Sequence, residues 1–195
     1  MFVAYALPIG ILVGLVLGGR PSGLAALNFR WAMLAVAGFA AQIVLFSGPV
    51  SERIGAAGPW VYVASTALVL VAVIRNFRIP GMALVALGAA CNLAAIVANG
   101  GYMPASAAAA AAMGRGDPAG YSNSAIIASP NLAPLTDVIA LPAWLPFTNI
   151  ISIGDLLIGV GIAVVIAVAM RSARRSPAAS DDADAPTVLG GNSPI

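Results

Sequence analysis

Few side chains in this chain can do chemistry, because 61% of its 195 residues are hydrophobic and only 8% are charged. Histidine is absent and Cys91 is the single cysteine. A Ser-His-Asp relay, a His-ligated haem, a cysteine-rich metal site and an internal disulfide are therefore excluded. Polar residues set within or beside apolar runs remain: Gln42, Ser65, Thr66, Asn92 and Asp155, with Asn99, Tyr102 and Asp137 between the last two runs. Burying such groups without partners is costly, so each marks a hydrogen bond between helices or a site. Asp137 and Asp155 are the two acids that can hold a proton or cation, or share acid–base work. The sequence shows no nucleophile beside them and no dense acidic cluster for a metal. No cofactor and no metal is expected.

The same residues have structural readings. Ser152-Ile153-Gly154-Asp155 reads as a capping box, with Ser152 at the N-cap and Asp155 three residues on. Gln42 lies seven residues before Pro49, and Asn92 seven before Asn99. Ser65 and Thr66 lie five and six after Trp60. At 1.5 Å per residue these groups share one depth, about 8–10 Å below one boundary of their helices. One reading is an outward-facing polar pocket lidded by the long segment after Asn99. The other is pairing between helices, worth about 0.6–2 kcal/mol per contact.

Five apolar runs must position these residues, over about 2–17, 31–46, 60–74, 81–98 and 153–170. A spanning helix needs about 20 mostly apolar residues, and flanking residues can extend each run toward that length. With a mean hydropathy of +0.98, lipid must face much of the chain. The expected fold is all-α: an integral membrane bundle of five transmembrane helices, with a partly helical outer segment at about 99–152. The first run has no charge before Arg20 and reads as a retained helix rather than a signal peptide.

All nine basic residues are arginine, and they give a direction. Arg20, Arg30, Arg75, Arg78, Arg171, Arg174 and Arg175 fall at one end of the runs, and Arg53 and Arg115 at the other. The positive-inside rule then places the N-terminus outside and the C-terminus in the cytoplasm of a cell inner membrane. Trp31, Trp60 and Trp144 fit the aromatic belts. Residues 1–171 form the expected transmembrane domain. Residues 172–195, with Asp181, Asp182 and Asp184 among Ala, Pro, Ser and Gly, form a tail too polar to fold alone. A net charge of +2 gives no sign of nucleic-acid binding. Gly10, Gly14 and Gly18 make a smooth stripe for packing inside the chain, or for a homo-oligomer or another membrane partner.

The outer segment is too apolar for simple disorder and too rich in proline for one helix, with Pro130, Pro134, Pro142 and Pro146. The alanine run 105–112 predicts a short helix ended by Gly114. Thr136 or Asp137 can cap a two-turn helix through Ala140. Leu141, Trp144, Leu145 and Phe147 suit a stretch lying on the membrane surface. The segment opens Asn99-Gly100-Gly101-Tyr102-Met103-Pro104 and leads into Ser152-Ile153-Gly154-Asp155-Leu156-Leu157-Ile158-Gly159, with Asp137 between. In this pairing the chain resembles a family of small bacterial integral membrane proteins classed as a domain of unknown function. The resemblance covers nearly the whole chain apart from the tail, implies an inner-membrane protein, and supplies no activity and no catalytic residue.

Three functions stay open. The first is a non-enzymatic protein binding a small ligand or lipid at its outer face, or assisting a membrane complex. Its candidate site residues are Gln42, Thr66, Asn92, Asn99, Tyr102, Asp137 and Asp155. The second is a small-solute or ion transporter or channel, which the lack of internal repeats and of mid-membrane charge disfavours. The third is an intramembrane enzyme using Asp137 and Asp155.

Overall fold

The computed structural model describes residues 3–113, 121–142, 144–146 and 148–172. Arg115 and Asp117, Phe147, and the tail beyond Ser172 lie outside the described residues. Five apolar helices dominate: α1 (Val3–Val16), α2 (Ala32–Leu45), α4 (Gly58–Arg75), α5 (Met82–Ala98) and α7 (Ile153–Ser172). Their boundaries match the five apolar runs to within two residues. Two short helices, α3 (Gly48–Ser51) and α6 (Ala107–Ala112), sit in the connections.

The expectation of five spans is met only in part. Two helical stretches, Gly55–Arg75 and Ile153–Ser172, are long and apolar enough to cross a membrane. The other three apolar helices are 14, 14 and 17 residues long. Turn chemistry shortens them. Gly18 turns left-handed after α1, and Pro21 starts a 3-10 turn over Pro21–Ala26. α2 begins behind a left-handed Trp31 and ends before the Ser47-Gly48-Pro49 turn.

Glycine contacts fix how the helices run. An added Cβ on Gly10 would meet Ile166 and Ala163, and on Gly14 it would meet Met170, so α1 lies parallel to α7. Gly81 faces Gly161 and Gly88 faces Gly154, so α5 runs antiparallel to α7 with the backbones touching. Gly38 packs on Ser65 and Val69 while Phe46, at the end of α2, meets Tyr62, so α2 runs antiparallel to α4. α4 in turn packs on α5. Gly10 and Gly14 of the predicted stripe are thus covered within the chain, and Gly19, buried on Met170, completes the contact in place of exposed Gly18.

Arg20, Arg30, Arg75, Arg78 and Arg171 come to one end of this arrangement, the arginine end. The Arg20 amide donates to the Met170 carbonyl there, at 2.8 Å. At the other end, the described residues of the 99–152 segment fold as a cap. The all-α expectation is corrected here, since the described residues of the cap carry four short strands. β1 (Met103–Ala105) pairs in parallel with β2 (Ser124–Ile126), and β3 (Ile139–Ala140) pairs antiparallel with β4 (Ile150–Ile151). The two-turn helix expected after Thr136 does not form. A 3-10 turn over Ala133–Leu135 precedes Thr136, and Asp137 then bridges to Ala105. The proline spacing leaves too few backbone donors for a helix, and edge pairing satisfies the main chain instead. The alanine run does become a helix, α6, with the Ser106 side chain accepting from the Ala109 amide.

Candidate functional site

Each polar layer residue has a definite partner. Gln42 on α2 donates to the Thr66 hydroxyl on α4 at 3.2 Å, and that hydroxyl donates to the Tyr62 carbonyl at 2.8 Å. Ser65 is 2% exposed and donates to its own helix, at the Tyr62 carbonyl. Asn92 on α5 meets the start of α7. Its amide donates to Asp155 at 2.9 Å, and its carbonyl accepts from the Ser152 hydroxyl at 2.9 Å.

The predicted capping box is present with both reciprocal bonds. Ser152 Oγ accepts from the Asp155 amide at 3.0 Å, and Asp155 accepts from the Ser152 amide at 3.2 Å. Asp155 therefore has both oxygens engaged: Oδ1 by Asn92, Oδ2 by Ser152. The two groups form separate closed links rather than one shared cavity: Gln42 with Thr66, and Asn92 with Ser152 and Asp155. Asparagine at 155 can keep one of the two acceptor bonds, but its NH2 must then face a donor. Asp155→Asn should therefore cost about 1–3 kcal/mol rather than a few tenths. Chemical unfolding in detergent measures this, and a loss under 0.5 kcal/mol would show that the cap tolerates the change.

Asn99 and Tyr102 tie down the cap. Asn99 donates to the carbonyls of Ala95 and Asn131 and accepts from the Asn131 amide, while Asn131 donates to the Ala98 carbonyl. Tyr102 packs on Tyr121 with ring centroids 5.1 Å apart. Tyr121 donates to the Gly101 carbonyl at 2.6 Å, and its amide reaches Ser51. Its ring lies over Gly58, where a Cβ would collide with it, and it stacks on Phe46. Burial pushes the Tyr121 hydroxyl well above its ordinary pKa, with the neighbouring Tyr102 second. Tyr121 and Asn131 were not singled out from the sequence. An aromatic residue alone in the polar, Gly-rich stretch 114–124 was the available signal for Tyr121.

Asp137 stands apart. The main chain fixes it on the free edge of β1: its amide donates to the Pro104 carbonyl, and its carbonyl accepts from the Ser106 amide, both at 2.9 Å. Its neighbour Thr136 is 1% exposed. Asp137 Oδ1 is buried with no hydrogen-bond partner among the described residues. Desolvation by burial, and secondly the Asp155 charge, push its carboxyl up from 3.8 to about 7. Asp137 and Asp155 both lie close enough to Tyr62 to act on it electrostatically, so the three share one region beneath the cap. Among the described residues no group of three His, Cys, Asp or Glu side chains is placed to hold a metal ion.

No curated protein and no solved structure matches this chain significantly. The sequence model of one family, described as a family of unknown function, matches residues 26–167, which takes in both polar links, the cap and most of α7. The chain belongs to that family, DUF5317.

Proposed function

We propose that this chain is a multi-pass inner-membrane protein without enzymatic activity that takes up a small monovalent cation or protonated amine at Asp137, beneath its outer cap. All five apolar helices would cross the bilayer, with the cap outside and the arginine end in the cytoplasm. Large apolar side chains facing outward on every one of these helices support the membrane reading, including Leu12, Met33, Phe39, Trp60, Ile74, Leu87, Val97 and Val160. Only 28% and 44% of the apolar windows in Gly55–Arg75 and Ile153–Ser172 are buried, whereas the core helix of a soluble protein would be mostly covered.

The unpartnered Asp137 oxygen carries the site reading. A buried carboxyl oxygen without a donor is relieved by a proton or by a cation. The closed Gln42–Thr66 and Asn92–Asp155 links disfavour a solute path past those residues. With both oxygens bonded, Asp155 is a poor second acid for catalysis.

Thermal unfolding of the detergent-solubilised protein tests the site with sodium, potassium and methylammonium salts at matched ionic strength. At pH 8.5 one of these ions should raise Tm by several degrees. The shift should vanish at pH 5.5, where a proton holds the carboxyl, and in Asp137→Asn at either pH. Equal shifts in the wild type and Asp137→Asn would remove Asp137 from the site. Reporter fusions at Ser22 and Ser124 test the orientation, and a cytoplasmic Ser124 would overturn it.

A further inference from the structure

At the arginine end, a groove of about 660 Å³ opens between the start of α2 and the α4–α5 turn, lined by Arg30, Trp31, Arg75, Asn76 and Arg78 among others. Three arginines line it, and among the described residues no acidic one does. None of the three makes a hydrogen bond or ion pair through its guanidinium among the described residues, so their donors are open.

The groove is built rather than incidental. Asn76 is 4% exposed and clamps the backbone of Arg30 from both sides. It accepts from the Arg30 amide at 2.8 Å and donates to the Arg30 carbonyl at 2.7 Å. A second bond from the same amide group to the Ala72 carbonyl fixes Asn76 to α4. Trp31 is left-handed, at φ 60°, a conformation bulky side chains rarely adopt. That backbone sets its ring under the Arg75 guanidinium, 5.6 Å from the ring centroid. Arg75 is thereby oriented, while Arg30 and Arg78 line the same groove. Val71 and Ile74 line the groove on the α4 side, and both face outward on the helix.

We infer that this groove seats the phosphate headgroup of an anionic phospholipid, with its acyl chains along Val71 and Ile74. A planar guanidinium binds phosphate through paired N–H donors, and three arginines lining one groove suit the charge of a phosphodiester. The apolar wall beside them favours a lipid over a free anion. The site is independent of Asp137, which lies at the opposite end of the helices.

Native mass spectrometry of the full chain, delipidated in detergent and titrated with lipid, tests the inference. Phosphatidylglycerol should bind at least tenfold more tightly than phosphatidylcholine. Arg30→Gln/Arg78→Gln should lose about twentyfold in phosphatidylglycerol affinity, since each arginine near an anionic headgroup supplies about fivefold. Arg20→Gln/Arg171→Gln removes equal charge from the same end outside the groove and should lose less than threefold. Arg78→Gln alone should lose about fivefold, and it decides the matter if the double variant fails to fold. Equal binding of the two lipids, or equal losses in the two double variants, would reduce the groove to a general basic face. Competition by millimolar inorganic phosphate would show a soluble-anion site and overturn the lipid assignment.

Discussion

Asp137→Asn should make the protein more stable at pH 8 by about 2–4 kcal/mol and leave it nearly unchanged at pH 4. The folded carboxyl titrates at about 7 against 3.8 when free. Between those values the folded state holds a proton that the unfolded state has released. Unfolding free energy therefore falls as pH rises from about 4 to about 7, then levels off. The full difference of about three pH units corresponds to roughly 4 kcal/mol, and partial exposure of the side chain reduces it. Asparagine carries no charge at any pH, so the slope should disappear. The groups facing this carboxyl are Asp155 at the start of α7, Tyr62 on α4 and the edge of β1. Because Asp155 is the second cause of the shift, Asp155→Asn should move the wild-type slope to lower pH without abolishing it. Urea unfolding in a mild nonionic detergent from pH 4.5 to 8.5 gives the curve. A wild-type stability that is flat, or that rises with pH, would mean that the folded carboxyl is ionised and partnered.

That prediction depends on a residue whose type was visible in the sequence but whose setting was not. Asp137 reads locally as a helix cap beside Thr136. It becomes a strand-edge residue because Pro104 and Ser106, more than thirty positions away, satisfy its main chain. Long-range edge pairing of three-residue strands leaves no periodic signal, so the cap topology could not be read locally. The elements written in local chemistry were readable. The apolar runs became α1, α2, α4, α5 and α7, and Ser152 with Asp155 closed a capping box. Depth counting placed Gln42 level with Thr66, and the two do pair. It also grouped Asn92 with them, yet Asn92 sits on α5 and turns to α7. Helix rotation, which depth alone cannot supply, decides which polar groups meet. Asn76 was passed over because an asparagine between two arginines reads as a solvated helix end. Its burial comes from the loop that carries Arg30 folding back onto it.

Gly154→Ala should cost about 3–5 kcal/mol, although it adds one methyl group at a helix start that tolerates alanine well. Gly154 and Gly161 on α7 face Gly88 on α5 and Gly81 at its N-cap, and the seven-residue spacing on each side brings the two pairs onto one seam. A Cβ at 154 would fall on the Asn92 side-chain oxygen and within 2.7 Å of the Gly88 carbonyl. The obstacle is backbone as well as side chain, so the helices must separate. Overpacking of this kind costs about 1–3 kcal/mol. Displacing Asn92 also removes its bonds to Asp155 and Ser152, at about 1 kcal/mol each. A double-mutant cycle separates the two terms. Asn92→Ala clears the side-chain obstacle and has already lost the bonds, so Gly154→Ala in that background should cost about 1–2 kcal/mol less than in the wild type. The clash with the Gly88 carbonyl persists, so the penalty should not vanish. Strict additivity would mean that Asn92 moves aside freely and does not hold α5 to α7. A Gly154→Ala protein within 0.5 kcal/mol of the wild type would mean that the two backbones do not touch along this seam.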